Sequence, residues 1–260
     1  MRISCALARK SDKAVNGMIR DGVSKADACI TSILMVGQSN MAGRGHIGEV
    51  EPIVNAGCYM LRMGRWQTMS EPINPDRAIF KPEMASGVGL AASFADDLQK
   101  HLDAPVGLIP CADGGTRISQ WMPGEVLFDH AVMMTELALR TSKLGGIIWH
   151  QGESDCVHGD IERYSRDLIT MLTALRRRLN AEHLPLVLGE LSLKTDRERH
   201  HLGDWPEKVN AALPDIVRAL PNSALVSADG LCIQEDGIHF DARSLREMGH
   251  RYFEKFISIG

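Results

Sequence analysis

Five short apolar runs mark this chain, at residues 33–36, 106–110, 146–149, 186–191 and 224–227, and each leads into a polar or glycine-bearing turn. Runs of that length, bounded by turn residues and without polar alternation, fit strands buried on both faces. Between them lie stretches with helical period, at 89–102, 161–179, 205–220 and 242–257. In the second of these, Leu168, Met171, Leu172, Leu175 and Leu179 recur at spacings of three and four, which places one apolar stripe along a helix. Strand alternating with helix predicts an α/β domain built on a doubly wound, mainly parallel five-stranded sheet with helices on both faces. Residues 58–69 alternate around Gly64 like a small hairpin. Residues 1–29 show no strong period and are expected to form an N-terminal arm, helical or partly disordered, ahead of a single domain over 30–260. A chain of 260 residues, 44% hydrophobic, fits one large domain with a substantial core.

The chemistry-bearing residues cluster where those strands end. Residues 37–43 read Gly-Gln-Ser-Asn-Met-Ala-Gly, 110–116 read Pro-Cys-Ala-Asp-Gly-Gly-Thr, and 147–155 read Ile-Ile-Trp-His-Gln-Gly-Glu-Ser-Asp. Open α/β sheets bind ligands beyond the carboxyl ends of their strands, so Ser39, the Gly114-Gly115 pair and Gln151 are predicted on one rim. A serine hydroxyl is a poor nucleophile at neutral pH and needs a positioned base. Residues 236–239, Asp-Gly-Ile-His, supply one: His239 titrates near neutrality, and Asp236 is placed to orient its ring. Gly237 between them permits the tight turn that brings both side chains to one point. Each segment alone is ambiguous. A serine after a strand is commonly a helix N-cap, and a Gly-Gly pair is commonly a plain turn.

Taken together, the four segments resemble the SGNH hydrolase superfamily, and within it the branch of sialate O-acetylesterases and acetylxylan esterases of carbohydrate esterase family six. The resemblance spans roughly residues 31–256. It implies a flavodoxin-like three-layer sandwich, with Ser39 as nucleophile, His239 as general base and Asp236 as its orienting acid. It also implies an oxyanion hole made of the Ser39 N–H, an N–H of the Gly114-Gly115 turn, with Gly115 favoured, and the side-chain amide of Gln151, where the superfamily more often has Asn. The implied activity is hydrolysis of a carboxylic ester, with an O-acetyl group on a carbohydrate as favoured substrate, through an acyl-serine and without a cofactor. Gln38, Asn40 and Arg44 are then candidate substrate contacts, and Trp66 and Trp121 are candidate stacking surfaces for a sugar ring. His150 and Glu153 are expected to brace the rim by hydrogen bonds. In resembling proteins the segment at 58–72 decorates the catalytic rim.

Composition narrows the partners. A formal charge of −4 gives no electrostatic reason to expect nucleic acid, and no segment approaches the apolar length of a membrane span. The expected partner is an acetylated carbohydrate or another small ester. Six cysteines, at 5, 29, 58, 111, 156 and 232, show no close Cys-x-x-Cys pair and no disulfide framework, which suits a reducing compartment. The apolar stretch near the N-terminus is only about five residues, short of the 7–15 or so of a signal core, so a cytoplasmic location is expected. The charged run at 192–205 reads as solvated surface. Two rival readings remain. One is a metal-dependent hydrolase using His150, Glu153, Asp155, Cys156 and His158, although their spacing fits no zinc pattern. The other is a non-catalytic carbohydrate-binding protein on the same fold.

Overall fold

The first strand, β1 (Ile30–Gly37), sends Leu34 and Val36 into one apolar cluster and Ile33 and Met35 into another on the opposite face. That period-two division, with both faces covered, is why the run is apolar without interruption. The structure, a computed structural model, describes residues 30–74 and 86–260; the arm expected at 1–29 lies outside them. Six further strands follow: β2 (Cys58–Arg62), β3 (Arg65–Thr68), β4 (Val106–Pro110), β5 (Ser142–His150), β6 (Leu186–Gly189) and β7 (Ser223–Val226). They form one sheet in the order β3-β2-β4-β1-β5-β6-β7, parallel throughout except for the β2–β3 pair.

The sheet therefore has seven strands where five were expected. The two extra ones are the hairpin at 58–69, whose turn residues Met63 and Gly64 both take positive φ, at 52° and 73°. That is the backbone a two-residue hairpin with the native strand twist requires. Strand β2 then pairs with β4, Cys58 opposite Val106 and Met60 opposite Leu108, so the segment extends the sheet edge rather than decorating the rim.

Six α-helices are described: α1 (Ser39–Ala42), α2 (Ala91–Leu102), α3 (Val126–Ala138), α4 (Ile161–Arg178), α5 (Trp205–Ala219) and α6 (Ala242–Ile257). Buried residues of α3, α4 and α5, among them Leu127, Leu172 and Val209, join the Leu34 cluster. Those of α2 and α6, among them Phe94, Leu245 and Tyr252, join the Met35 cluster. The result is a doubly wound three-layer sandwich.

Strand β1 lies between β4 and β5, so the chain leaves it toward one edge and later returns to build the other. A crevice beyond the carboxyl end of the strand at such a switch point is where open sheets hold ligands. Gly37 makes the end of β1 possible. At φ 134° it lies so close to β5 that a Cβ would overlap the His150 carbonyl oxygen, and the next N–H, of Gln38, donates to that same oxygen at 2.9 Å.

Candidate active site

Ser39 opens the single turn of α1 directly beyond β1. Its Oγ lies 2.8 Å from His239 Nε2, and His239 Nδ1 lies 2.6 Å from Asp236 Oδ2. The second carboxylate oxygen of Asp236 accepts the backbone N–H groups of Ile238 and His239, each at 3.0 Å. Nδ1 therefore donates to the carboxylate, which leaves Nε2 as an acceptor for the Ser39 proton. Gly237 takes φ 81° between the two side chains, as the tight turn demands.

Two opposing influences act on the His239 ring. Burial disfavours the imidazolium most, and Arg44 and His200 add to that; the hydrogen bond and charge of Asp236 oppose it. The balance lies on the low side, so the ring titrates below the ordinary histidine range. For Asp236, burial alone would raise the carboxyl pKa, but the Ile238 and His239 N–H groups and the His239 ring together hold it below the usual value.

A cleft of about 440 Å³ opens beside this chain, with Arg44, His46, Gln234, Asp236 and His239 among its walls. Arg44 is half-buried; Nη1 donates to Gly43 O at 2.9 Å, while the buried Nε has no partner among the described residues. Desolvation lowers the pKa of its guanidinium against the attraction of Asp113 and Asp236. The group rests on Gly114, where any Cβ would overlap Nη2 and stand 3.6 Å from Ser39 Cβ. Of the two glycines, then, Gly114 packs against Ser39 and Arg44, while Gly115 at φ 71° makes the turn.

Other expected site residues have different surroundings. Gln151 Nε2 donates to Thr116 O at 3.0 Å and to Asp155 Oδ2 at 2.5 Å, so both its hydrogens are committed; its buried Oε1 has no partner among the described residues. The free donor expected of Gln151 is not free in this arrangement. Asp155 also accepts the Ile118 N–H at 3.0 Å, and burial pushes its carboxyl up to about 6.

Trp66 and Trp121 are corrected from sugar platforms to core residues, both almost wholly buried. Trp66 points inward from β3 and donates to Thr141 Oγ1 at 3.1 Å. Trp121 donates to Thr116 Oγ1 at 3.1 Å and meets Trp149 edge-on at 5.3 Å. An indole gains most from burial when its N–H finds a partner, and both do. Gln38 and Asn40, expected as substrate contacts, are buried, and their side chains are hydrogen-bonded within the protein. His150 is fully buried and bonds the Tyr252 hydroxyl of α6 at 3.1 Å, so it ties helix to sheet rather than bracing the rim. Glu153 does reach the rim and accepts from Asn40 Nδ2 at 2.6 Å.

The run at 192–205, read as solvated surface, holds the segment that carries Asp236 and His239. Asp196 N–H donates to Gly237 O at 2.7 Å, His200 Nε2 to Asp236 O at 2.7 Å, and Arg199 Nη1 to Glu235 O at 2.9 Å. Gln234 was also missed; its amide donates to Arg44 O at 2.7 Å and to Phe240 O at 3.0 Å. Side chains of the 150–158 turn diverge. His150 meets Tyr252, Glu153 meets Asn40, Asp155 meets Gln151, and His158 stands 3.5 Å from Arg117. Among the described residues no group of three or more His, Cys, Asp or Glu side chains is arranged to hold a metal.

A doubly wound sheet with a Ser-His-Asp chain beyond its central strand is the architecture of an SGNH-type esterase. The chain belongs to the family described as carbohydrate esterase, sialic acid-specific acetylesterase, whose model matches residues 31–258. It is 29% identical over 249 residues to a probable carbohydrate esterase of Arabidopsis thaliana, covering 86% of this chain and 89% of that one. The crystal structure of that plant protein superposes with a TM-score of 0.77 at 28% identity, covering 88% and 98% of the two chains. The structure of NanS superposes with a TM-score of 0.71 at 17% identity, covering 89% and 98%, a likeness of fold. Among the described residues no helix is long and apolar enough to cross a membrane.

Proposed function

We propose that this protein is a serine esterase that removes O-acetyl groups from a carbohydrate through an acyl-serine intermediate. The observation that carries this reading is the unbroken chain from Ser39 Oγ to His239 Nε2 at 2.8 Å and from His239 Nδ1 to Asp236 Oδ2 at 2.6 Å. Ser39 Oγ attacks the acetyl carbon as its proton passes to His239 Nε2. The carbonyl oxygen gains negative charge and is met by the N–H of Ser39 and by the Gly114-Gly115 turn. Collapse breaks the bond to the sugar oxygen, which leaves with the proton from His239. Water, deprotonated by the same ring, then attacks the acetyl-serine and releases acetate, regenerating Ser39. Gln151 joins the oxyanion donors only by giving up Thr116 O or Asp155.

The carbohydrate substrate is supported by the family, and the acetyl group by its description. Arg44 in the cleft wall favours a sugar that carries a carboxylate over a neutral one, because its positive charge attracts the carboxylate. The test is acetate release from a panel of acetylated sugars by the wild type and Ser39→Ala. Loss of the nucleophile should lower turnover by several orders of magnitude with the fold intact; activity within about tenfold of wild type would sink the assignment.

A further inference from the structure

Ser39 is flanked by two buried carboxamides, and both reach across to other parts of the rim. Gln38 Oε1 faces the N–H groups of Gly152 at 3.3 Å and Ser154 at 3.4 Å. Asn40 bridges two segments at once. Its Nδ2 donates to Glu153 Oε1 at 2.6 Å, and its Oδ1 accepts the N–H of Phe240, the residue after His239, at 3.1 Å. From the other side Gln234 completes the clasp. Its amide donates to Arg44 O and Phe240 O at 2.7 Å and 3.0 Å, and its N–H donates to His239 O at 2.8 Å. Both backbone polar groups of Phe240 are thereby tied, one to the residue after Ser39 and the other to a residue itself fixed to Arg44.

We infer that Asn40, anchored by Glu153 and assisted by Gln234, is a positioning residue that sets where the His239 ring stands relative to Ser39. This rests on the reading of Ser39 and His239 as nucleophile and base. Those two residues are 200 positions apart in sequence and lie on separate segments, so their alignment depends on a cross-link between the segments. Asn suits the position because it offers a donor on one side and an acceptor on the other; a carboxylate has no donor for Glu153, and an aliphatic side chain has neither. A displacement of about 1 Å between reacting groups costs on the order of 10²-fold in rate. Asn40 is buried and both its polar groups are taken up within the protein, so its loss should act on turnover rather than on substrate affinity.

The experiment compares two esters. An acetylated sugar leaves as an alkoxide that needs a proton from His239, whereas 4-nitrophenyl acetate leaves as a stable phenolate that does not. Asn40→Ala should lower kcat on the acetylated sugar by about 10- to 100-fold, with KM within about twofold, and lower it on the nitrophenyl ester as well, because both need His239 to deprotonate Ser39 and then water. Glu153→Ala should show the same loss of kcat, and Glu153→Gln, which keeps an acceptor oxygen for Asn40, should recover most of it. Turnover within about threefold of wild type on both esters, or a rise in KM as large as the fall in kcat, overturns the proposal. Should Asn40→Ala fail to fold, Gln234→Ala, at the half-buried cleft wall, is judged by the same two criteria. A Ser39→Ala control separates the failures: if it remains active the nucleophile reading falls, and if it is dead while Asn40→Ala is not, only the positioning role falls.

Discussion

Acidifying the wild-type protein from pH 7 to 4 sets two buried groups against each other, and a single substitution at either should expose the other. His150 is fully buried, and desolvation holds its pKa down at about 4 against an ordinary 6.5. Below pH 6.5 the unfolded chain takes up a proton that the folded one refuses. Its contribution is therefore fully present above 6.5 and is lost as pH falls toward 4. At about 1.4 kcal/mol per unit of pKa difference, the loss is about 3 kcal/mol. Asp155 has the opposite sign. Burial pushes its carboxyl up to about 6 from an ordinary 3.8, so at neutral pH the ionised group costs stability. That cost is relieved as pH falls from 6 to 3.8, again by about 3 kcal/mol. Glu153, raised by burial, adds to Asp155, and His239 and His130, lowered by burial, add to His150. The assay is urea unfolding followed by tryptophan fluorescence at several pH values. Relative to wild type, His150→Gln should gain about 3 kcal/mol between pH 7 and 4, and Asp155→Asn should lose about as much. The first carboxamide can still donate to Tyr252, and the second keeps an acceptor for Gln151. Either variant running parallel to wild type across this range would refute the reasoning.

The remaining predictions concern the base and the cleft. Activity needs neutral His239, so kcat/KM should fall on the acid side with a midpoint below about 6.5, because burial outweighs Asp236. Asp236→Asn should move that midpoint lower still and reduce turnover, since an amide can favour the wrong tautomer; an upward move counts against the pairing. Arg44→Gln should shift the acid limb upward, because its charge disfavours the imidazolium. It should also raise KM more for an acetylated sugar acid than for the matching neutral sugar; equal effects would remove Arg44 from substrate selection.

Local pattern located most of the sandwich. Strand β4 and helix α6 begin and end where their apolar runs do. Helix α3 was missed because its stripe is blurred: Val126 and Met133 are exposed while Thr135 is fully buried. The hairpin was legible from alternation around Gly64, but its membership of the main sheet was not, since the pairing of Cys58 with Val106 is a long-range choice that no local period records. The same limit governs the site. Ser, His and Asp announce themselves by type and place, whereas a carboxamide reads alike whether it meets a sugar or a backbone. Gln38 and Asn40, expected to meet substrate, have backbone N–H groups and Glu153 as their partners. The charges around 196–200 look like solvated surface; what they do depends on the Asp196 N–H and the His200 ring meeting the 236–237 carbonyls, a partnership absent from composition.

The commitment of Gln151 bears on how the proposed oxyanion hole works. An amide group has two hydrogens, and here one faces the Thr116 carbonyl and the other a carboxylate at 2.5 Å. A hydrogen bond to an ionised group is worth roughly twice a neutral one, so drawing the amide off Asp155 toward a developing oxyanion exchanges one charged acceptor for another and gains little. Donors gain most when they are already aimed and need no reorganisation. On the proposed reading, that description suits the N–H of Ser39 at the opening of α1 and the turn at Gly114. The Arg44 guanidinium packed on that glycine adds positive charge beside the reacting carbonyl. The same charge that lowers the His239 pKa would then favour the negative transition state, so one arginine would keep the base neutral before attack and steady the oxygen during it.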